Sequence, residues 1–157
     1  MRIIIDGNDG VGKTTLAKKL QEHFGIKSYI HSSWNDPSDY MFCRELLRKE
    51  DVIFDRCFLD ERIYSKVLNR KPRLTLEQEQ SLIEFVKSEG ILVILCFNDR
   101  PIYDSREDKR IVNSKYFIDS KFFELAEQHN FKKFYVKEQN FEQLVNIVSS
   151  FFNKNNI

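Results

Sequence analysis

The chain is poor in the residues that mark several protein classes. It has only 3 cysteines, 3 prolines, 5 glycines and 1 tryptophan in 157 residues. Cys43, Cys57 and Cys96 are scattered, odd in number and free of any C-x-x-C spacing. This argues against a disulfide scaffold and against a cysteine-ligated metal, and points to reduced thiols. Cys96, inside an apolar run, reads as core. No apolar segment reaches the length of a membrane span. The opening MRIIIDG lacks the apolar stretch and small-residue cleavage site of a secretory signal, so a cytoplasmic location is expected. The formal net charge is only +1, which does not suggest a general polyanion binder. There is no internal repeat, linker or low-complexity segment.

What is present is enough for one domain over residues 1–157. Hydrophobic residues make up 41% and charged residues 31%, with 14 phenylalanines available for a core. Short apolar runs at Arg2–Ile5, Val52–Phe54, Ile91–Phe97 and Phe134–Val136 read as strands, with Ser28–Ile30 a weaker fifth. Most are continuous rather than alternating, as expected for parallel strands covered on both faces. Helical spacing lies between them. Leu16, Leu20 and Phe24 share one face; so do Ile118, Phe122, Leu125 and Ala126; so do Phe141, Leu144, Val145 and Val148. Thr75 and Gln78 are spaced as a capping box before Leu82, Ile83 and Val86, and Gly90 stops that helix. The pattern predicts a three-layer α/β/α fold around a mostly parallel five-stranded sheet. Residues 98–114, with Pro101 and clustered charges, show no clear period and read as a lid or a loop.

The strongest motif is GNDGVGKT, Gly7 to Thr14, a complete G-x-x-x-x-G-K-[ST] between a strand and a helix. Gly7, Gly10 and Gly12 permit backbone angles that other residues resist. The main-chain amides of Gly7, Asn8, Asp9, Gly10, Val11, Gly12, Lys13, Thr14 and Thr15 then form an anion nest at a helix N-terminus. Lys13 would bridge the β- and γ-phosphates, and Thr14 would offer its hydroxyl to Mg²⁺. This predicts a nucleotide triphosphate site with ATP and Mg²⁺. It does not by itself separate a kinase from an ATPase, a GTPase or a regulator. A second motif, Asp55–Arg56, closes an apolar strand at the end where open α/β sheets bind ligands. A carboxylate there can hold the metal or take a proton, and a guanidinium can fork onto a phosphate.

The segments IDGNDGVGKTTLAKKL, FDRCFLDERIY, SREDKRIVNSKYFIDSKFFELAEQHN and KKFYVKEQNFEQLVNIVSSFF together resemble the thymidylate kinase-like family of nucleoside monophosphate kinases. The resemblance implies a P-loop NTPase fold and transfer of the γ-phosphate to a deoxynucleoside monophosphate. It implies that Asp9 meets the acceptor sugar, Arg56 holds the acceptor phosphate, Asp55 acts near Mg²⁺ and Tyr64 lines the acceptor pocket. Arg106 and Arg110 of the lid would close on the transferring phosphates, since Gly10 stands where some members carry an arginine. Phe42 and Arg44 are candidates for stacking on and reading the acceptor base.

Departures weaken the acceptor assignment. Cys57 replaces an aromatic or histidine, Asp60 a small hydroxyl residue, and the Ser32–Glu50 stretch and the lid are short. The alternatives are a kinase acting on a hydroxyl, of a nucleoside or of a modified base in a nucleic acid, and a non-catalytic nucleotide switch. The expected partner is a small nucleotide acceptor, with nucleic acid less favoured, no membrane, and a homodimer allowed by the resemblance. Trp34, Asp36 and Asp39 read as a surface connection. His23, His31 and His129 read as surface or core-edge groups, and Arg70, Lys71 and Arg73 as a solvated turn.

Overall fold

A computed structural model describes residues 1–31, 40–98 and 108–154, excluding the side chain of Phe42. Five strands form the sheet: β1 (Arg2–Gly7), β2 (Ser28–His31), β3 (Val52–Asp55), β4 (Leu92–Phe97) and β5 (Lys132–Tyr135). Their order is β2-β3-β1-β4-β5, and every pairing is parallel. Among the described residues, seven helices connect or flank them: α1 (Lys13–Phe24), α2 (Tyr40–Leu47), α3 (Glu61–Val67), α4 (Leu76–Ser88), α5 (Lys109–Asn113), α6 (Lys115–His129) and α7 (Phe141–Lys154). A 3-10 turn, Phe58–Asp60, leads into α3.

The pleat divides the core in two, because successive side chains leave opposite faces of a strand. Ile3, Ile5, Ile53, Ile94 and Cys96 pack with Leu16, Ala17 and Leu20 of α1 and Leu144 and Val148 of α7. Ile4, Phe54, Val93, Leu95 and Phe97 pack on the other side with residues of α2, α3, α4 and α6. The α/β/α layering expected from continuous apolar strands is therefore present. The Thr75–Gln78 capping box is formed in both directions before α4. Gly90 follows α4 at φ 61°, the left-handed stop expected of it.

Two expectations change. Residues 109–113 form α5 instead of loop, because the Asp108 carboxylate accepts from the Arg110 amide and starts a turn. Arg70 is not simply solvated. Its guanidinium forks onto Glu61, which is buried and also accepts from Ser65 and the Arg73 amide. The helices α2 and α3, at 8 and 7 residues, are too short to announce themselves by periodicity. All three cysteines are buried, and among the described residues none is in a disulfide. Among the described residues, no helix is long and apolar enough to cross a membrane.

Pleat parity also aims the acidic side chains at the carboxyl ends of the central strands. Asp55 shares parity with Ile53 and faces α1; Asp6 shares parity with Ile4 and faces the 3-10 turn. Between them, Gly7 lies at φ 139°, where a Cβ would meet the Cys96 carbonyl oxygen at 2.4 Å. The strand end can lie against β4 only without a side chain. Gly7→Ala is expected to lower stability by on the order of 3 kcal/mol, from overpacking plus backbone strain. Urea denaturation of the two chains checks this, and a change within error would refute it.

Candidate active site

The loop from Gly7 to Gly12 joins β1 to α1. Gly10 and Gly12 adopt φ 81° and 91°, angles costly for a side-chain-bearing residue. Lys13 begins α1 and is only 4% exposed. Its ammonium donates to the carbonyls of Gly7 at 2.9 Å and Asn8 at 2.5 Å, with Asp9 Oδ1 at 4.0 Å. Burial lowers its pKa, the nearby Arg56 cation lowers it further, and Asp6 and Asp9 oppose them. A bound polyphosphate would add negative charge where this buried ammonium is least comfortable.

Thr14, one residue on, donates its hydroxyl to Asp55 Oδ2 at 2.6 Å. The same oxygen accepts from the Tyr29 hydroxyl at 2.6 Å and contacts His31 Nδ1 at 2.9 Å. Burial raises the Asp55 pKa, but the bonds from Thr14, Tyr29 and His31 outweigh it and keep the carboxyl ionised. Tyr29 is pushed up to about 12 by burial and by its bond to Asp55. Asp55 Oδ1 is buried and has no hydrogen-bond partner among the described residues. Among the described residues no three His, Cys, Asp or Glu side chains gather as a metal cluster. One carboxylate and one hydroxyl nevertheless suit Mg²⁺, which takes one or two protein oxygens and completes its shell with phosphate and water.

Arg56 follows at φ 70°, a left-handed angle rare for a residue with a side chain. Its amide still reaches the Ile5 carbonyl at 2.8 Å, so the ladder continues as the side chain turns out. The guanidinium pairs with the Asp9 carboxylate. Burial lowers the Arg56 pKa, and Asp9 and Asp60 more than restore it. The Asp9 amide reaches the Tyr64 hydroxyl at 3.1 Å. Burial, then Asp9 and Asp60, push the Tyr64 phenol up, so it stays a neutral hydroxyl. The structure thus gathers Asp9, Lys13, Thr14, Asp55, Arg56 and Tyr64 at the carboxyl ends of β1 and β3.

Other expected residues lie elsewhere. Arg110 binds Asp108 and the Leu68 carbonyl, turned to the end of α3 rather than to the loop. Arg44 donates to Tyr40 and stacks over Phe85, between α2 and α4. Thr15 is exposed on α1. Arg106, Trp34, Asp36 and Asp39 lie outside the described residues, and Phe42 contributes only its backbone to α2.

Several participants were not singled out by motif. His31 was read as a surface or core-edge group, yet it sits on Asp55, because β2 pairs His31 directly opposite that residue. Tyr29 arrives by the same strand. Asp6 is fully buried; its Oδ1 accepts from the Gly7 amide at 2.8 Å. Asp60 is 4% exposed, and its Oδ1 has no hydrogen-bond partner among the described residues. Burial raises Asp6 to about 6, against lowering by Lys13. Burial, then Asp6, raise Asp60 well above the carboxylate range. The two acids resist ionising together beneath the loop. A carboxylate just before the loop and another in the Asp-Arg segment were the available signals.

No protein-family model matches this chain, and no curated protein matches it by sequence. Solved structures do match. The YorR protein of Bacillus subtilis, solved in complex with phosphorylated GDP, is 17% identical with a TM-score of 0.74. The alignment covers 99% of this chain and 98% of that one. A deoxyadenosine kinase of M. mycoides, solved with the products dCMP and dCDP, is 18% identical with a TM-score of 0.55, over 98% and 99% of the two chains. The chain shares its fold with the YorR protein and with that deoxyadenosine kinase.

The Asp6 shift sets a pH dependence. The folded chain holds this proton more tightly than the unfolded chain, whose value is 3.8. The associated stability is complete below about pH 4 and is lost as pH rises through about 6. Relative to Asp6→Asn, the wild-type chain should therefore lose on the order of 2 kcal/mol between pH 4 and 6.5. Denaturation midpoints across that range test this; parallel curves would contradict it.

Proposed function

We propose that this protein is a phosphotransferase that moves the γ-phosphoryl group of a Mg²⁺-bound nucleoside triphosphate, ATP in the first instance, to a nucleotide-like acceptor. The observation that carries this reading is one convergence. The phosphate loop, through Thr14 and Asp9, is hydrogen-bonded and ion-paired to both members of the Asp55–Arg56 pair. A bare glycine turn has no need of that partner. The fold shared with nucleoside and nucleotide kinases supports the same class.

In this reading the main-chain amides of the loop and the α1 N-terminus hold the triphosphate. Lys13 leaves the Gly7 and Asn8 carbonyls for the phosphates. Thr14 and Asp55 would hold Mg²⁺, which when bound draws charge from the β- and γ-phosphate oxygens. Tyr29 and His31 keep Asp55 ionised and oriented. Arg56 turns to the acceptor, and Asp9 and Tyr64 line its site. For a deoxynucleoside monophosphate, such as a thymidylate-like one, an acceptor phosphate oxygen attacks the γ-phosphorus. The bond from that phosphorus to the β–γ bridging oxygen breaks, and the diphosphate leaves. Positioning and charge stabilisation carry such a reaction.

A second acceptor chemistry is favoured by the Asp9–Arg56 pair. The Asp9 carboxylate offsets the Arg56 guanidinium, and the buried Asp60 carboxyl, held protonated, adds no positive charge, so the acceptor side has little net positive charge. That balance suits an uncharged hydroxyl, of a nucleoside or of a modified base in a nucleic acid. Its proton would pass to a carboxylate as the new P–O bond forms.

Incubation with ATP and Mg²⁺ against deoxynucleoside monophosphates, nucleosides and oligonucleotides separates the two. Phosphorylation of a free monophosphate, insensitive to added salt, is expected under the first. Transfer only to nucleoside or oligonucleotide hydroxyls would replace it with the second, and tight nucleotide binding without any transfer would end both. Lys13→Ala should keep the circular dichroism of the fold and lose roughly 100-fold or more in turnover. Near-normal turnover in that variant would remove the foundation of the scheme.

A further inference from the structure

The phosphate loop is held from outside by the first turn of α6. Asn8 is 1% exposed, and its side-chain amide is used on both ends. Its Oδ1 accepts from the Asp9 amide at 2.9 Å. Its Nδ2 donates to the Lys115 carbonyl at 2.9 Å and to Asp119 Oδ1 at 3.0 Å. The opposite amide orientation would set an oxygen against a carbonyl and a carboxyl, so the network fixes it. Lys115, also 1% exposed, sends its ammonium back to the Asp9 carbonyl at 2.8 Å.

Asp9 is consequently gripped on every polar group. Its amide meets Asn8 and Tyr64, its carbonyl meets Lys115, and its carboxylate meets Arg56. Burying a lysine is costly, and its bond to the Asp9 carbonyl confers orientation more than net stability. The carboxylate it orients is the one that faces Arg56.

We propose that Asn8 and Lys115 form a clasp that couples α6 to the phosphate loop and sets the Asp9 carboxylate against Arg56. They are positioning residues for the acceptor side rather than groups that touch phosphate. The proposal rests on the reading of Asp9 and Arg56 as that side. Asn8→Asp keeps the size and loses the donor; Lys115→Met keeps the length and loses the charge.

Two measurements test it on the full chain. The first needs no substrate: amide hydrogen exchange. Lys115→Met should speed exchange in residues 8–12, and Asn8→Asp in residues 113–119, each by about fivefold or more, with β4 unchanged. No change in the opposite segment, or a uniform rise across the chain, would overturn the clasp. The second is kinetic, with the acceptor that the panel above identifies. Each variant should raise the acceptor KM roughly tenfold, while in Lys115→Met, which lies outside the loop, the dissociation constant of a fluorescent ATP analogue with Mg²⁺ moves less than about threefold. The double variant should be no worse than the poorer single one. Parallel loss of donor affinity, or additive effects, would reduce the clasp to general support of the fold. If the wild-type chain transfers phosphate to no acceptor, the functional reading fails, and exchange still decides the clasp.

Discussion

The 2.6 Å hydrogen bond from Thr14 to Asp55 joins two places 41 residues apart in the chain. It sets the start of α1 against the end of β3, and so fixes where the loop mouth lies relative to the Asp55–Arg56 turn. Each end is built for it. Pleat parity sends Asp55 toward α1, and helix geometry places Thr14 one residue after the buried Lys13. Tyr29 and His31 converge on the same oxygen and keep it anionic against the cost of burial. Without that anion, the edge strand β2 would lose its reason to bring two polar side chains to the sheet terminus.

The strands were legible because parallel strands with two covered faces leave near-continuous apolar runs. The loop was legible because phosphate chemistry constrains residue types at fixed spacing. The Asp55–Arg56 pair was legible at the end of an apolar strand, whereas Tyr64 was reachable only through a resemblance. The short helices α2 and α3 offer too few turns for a period to emerge. His31 carries no spacing signal at all; it is made relevant by lying opposite Asp55 in the register of β2. Asn8 and Lys115 are invisible to motif logic for a related reason. Their meeting is 107 residues apart in sequence, and the motif treats Asn8 as a position where any residue serves. Arg110 had the opposite fate: the resemblance marked it as a phosphate ligand, while the nearby Asp108 gave it a nearer anion.

Beneath the loop, charge is distributed unevenly. Lys13 and Arg56 crowd each other, Asp9 is fully engaged, and Asp6 and Asp60 compete to stay protonated. Such competition shifts pKa values at functional sites more often than in structural ion pairs. Asp60 stands in that crowd beside Asp6 and Arg56, so its carboxyl bears on the Arg56 side of the loop.

The cysteines offer an unplanned reporter. Cys43, Cys57 and Cys96 are each buried, in the half-core under α2, behind the Arg56 turn and in the half-core against α1. Burial pushes the Cys96 thiol up to about 12 and raises the Cys57 thiol well above its ordinary value, so neither is nucleophilic in the native state. Alkylating reagents will therefore modify them only through opening events. The order in which the three are labelled would read out which layer of the molecule breathes first.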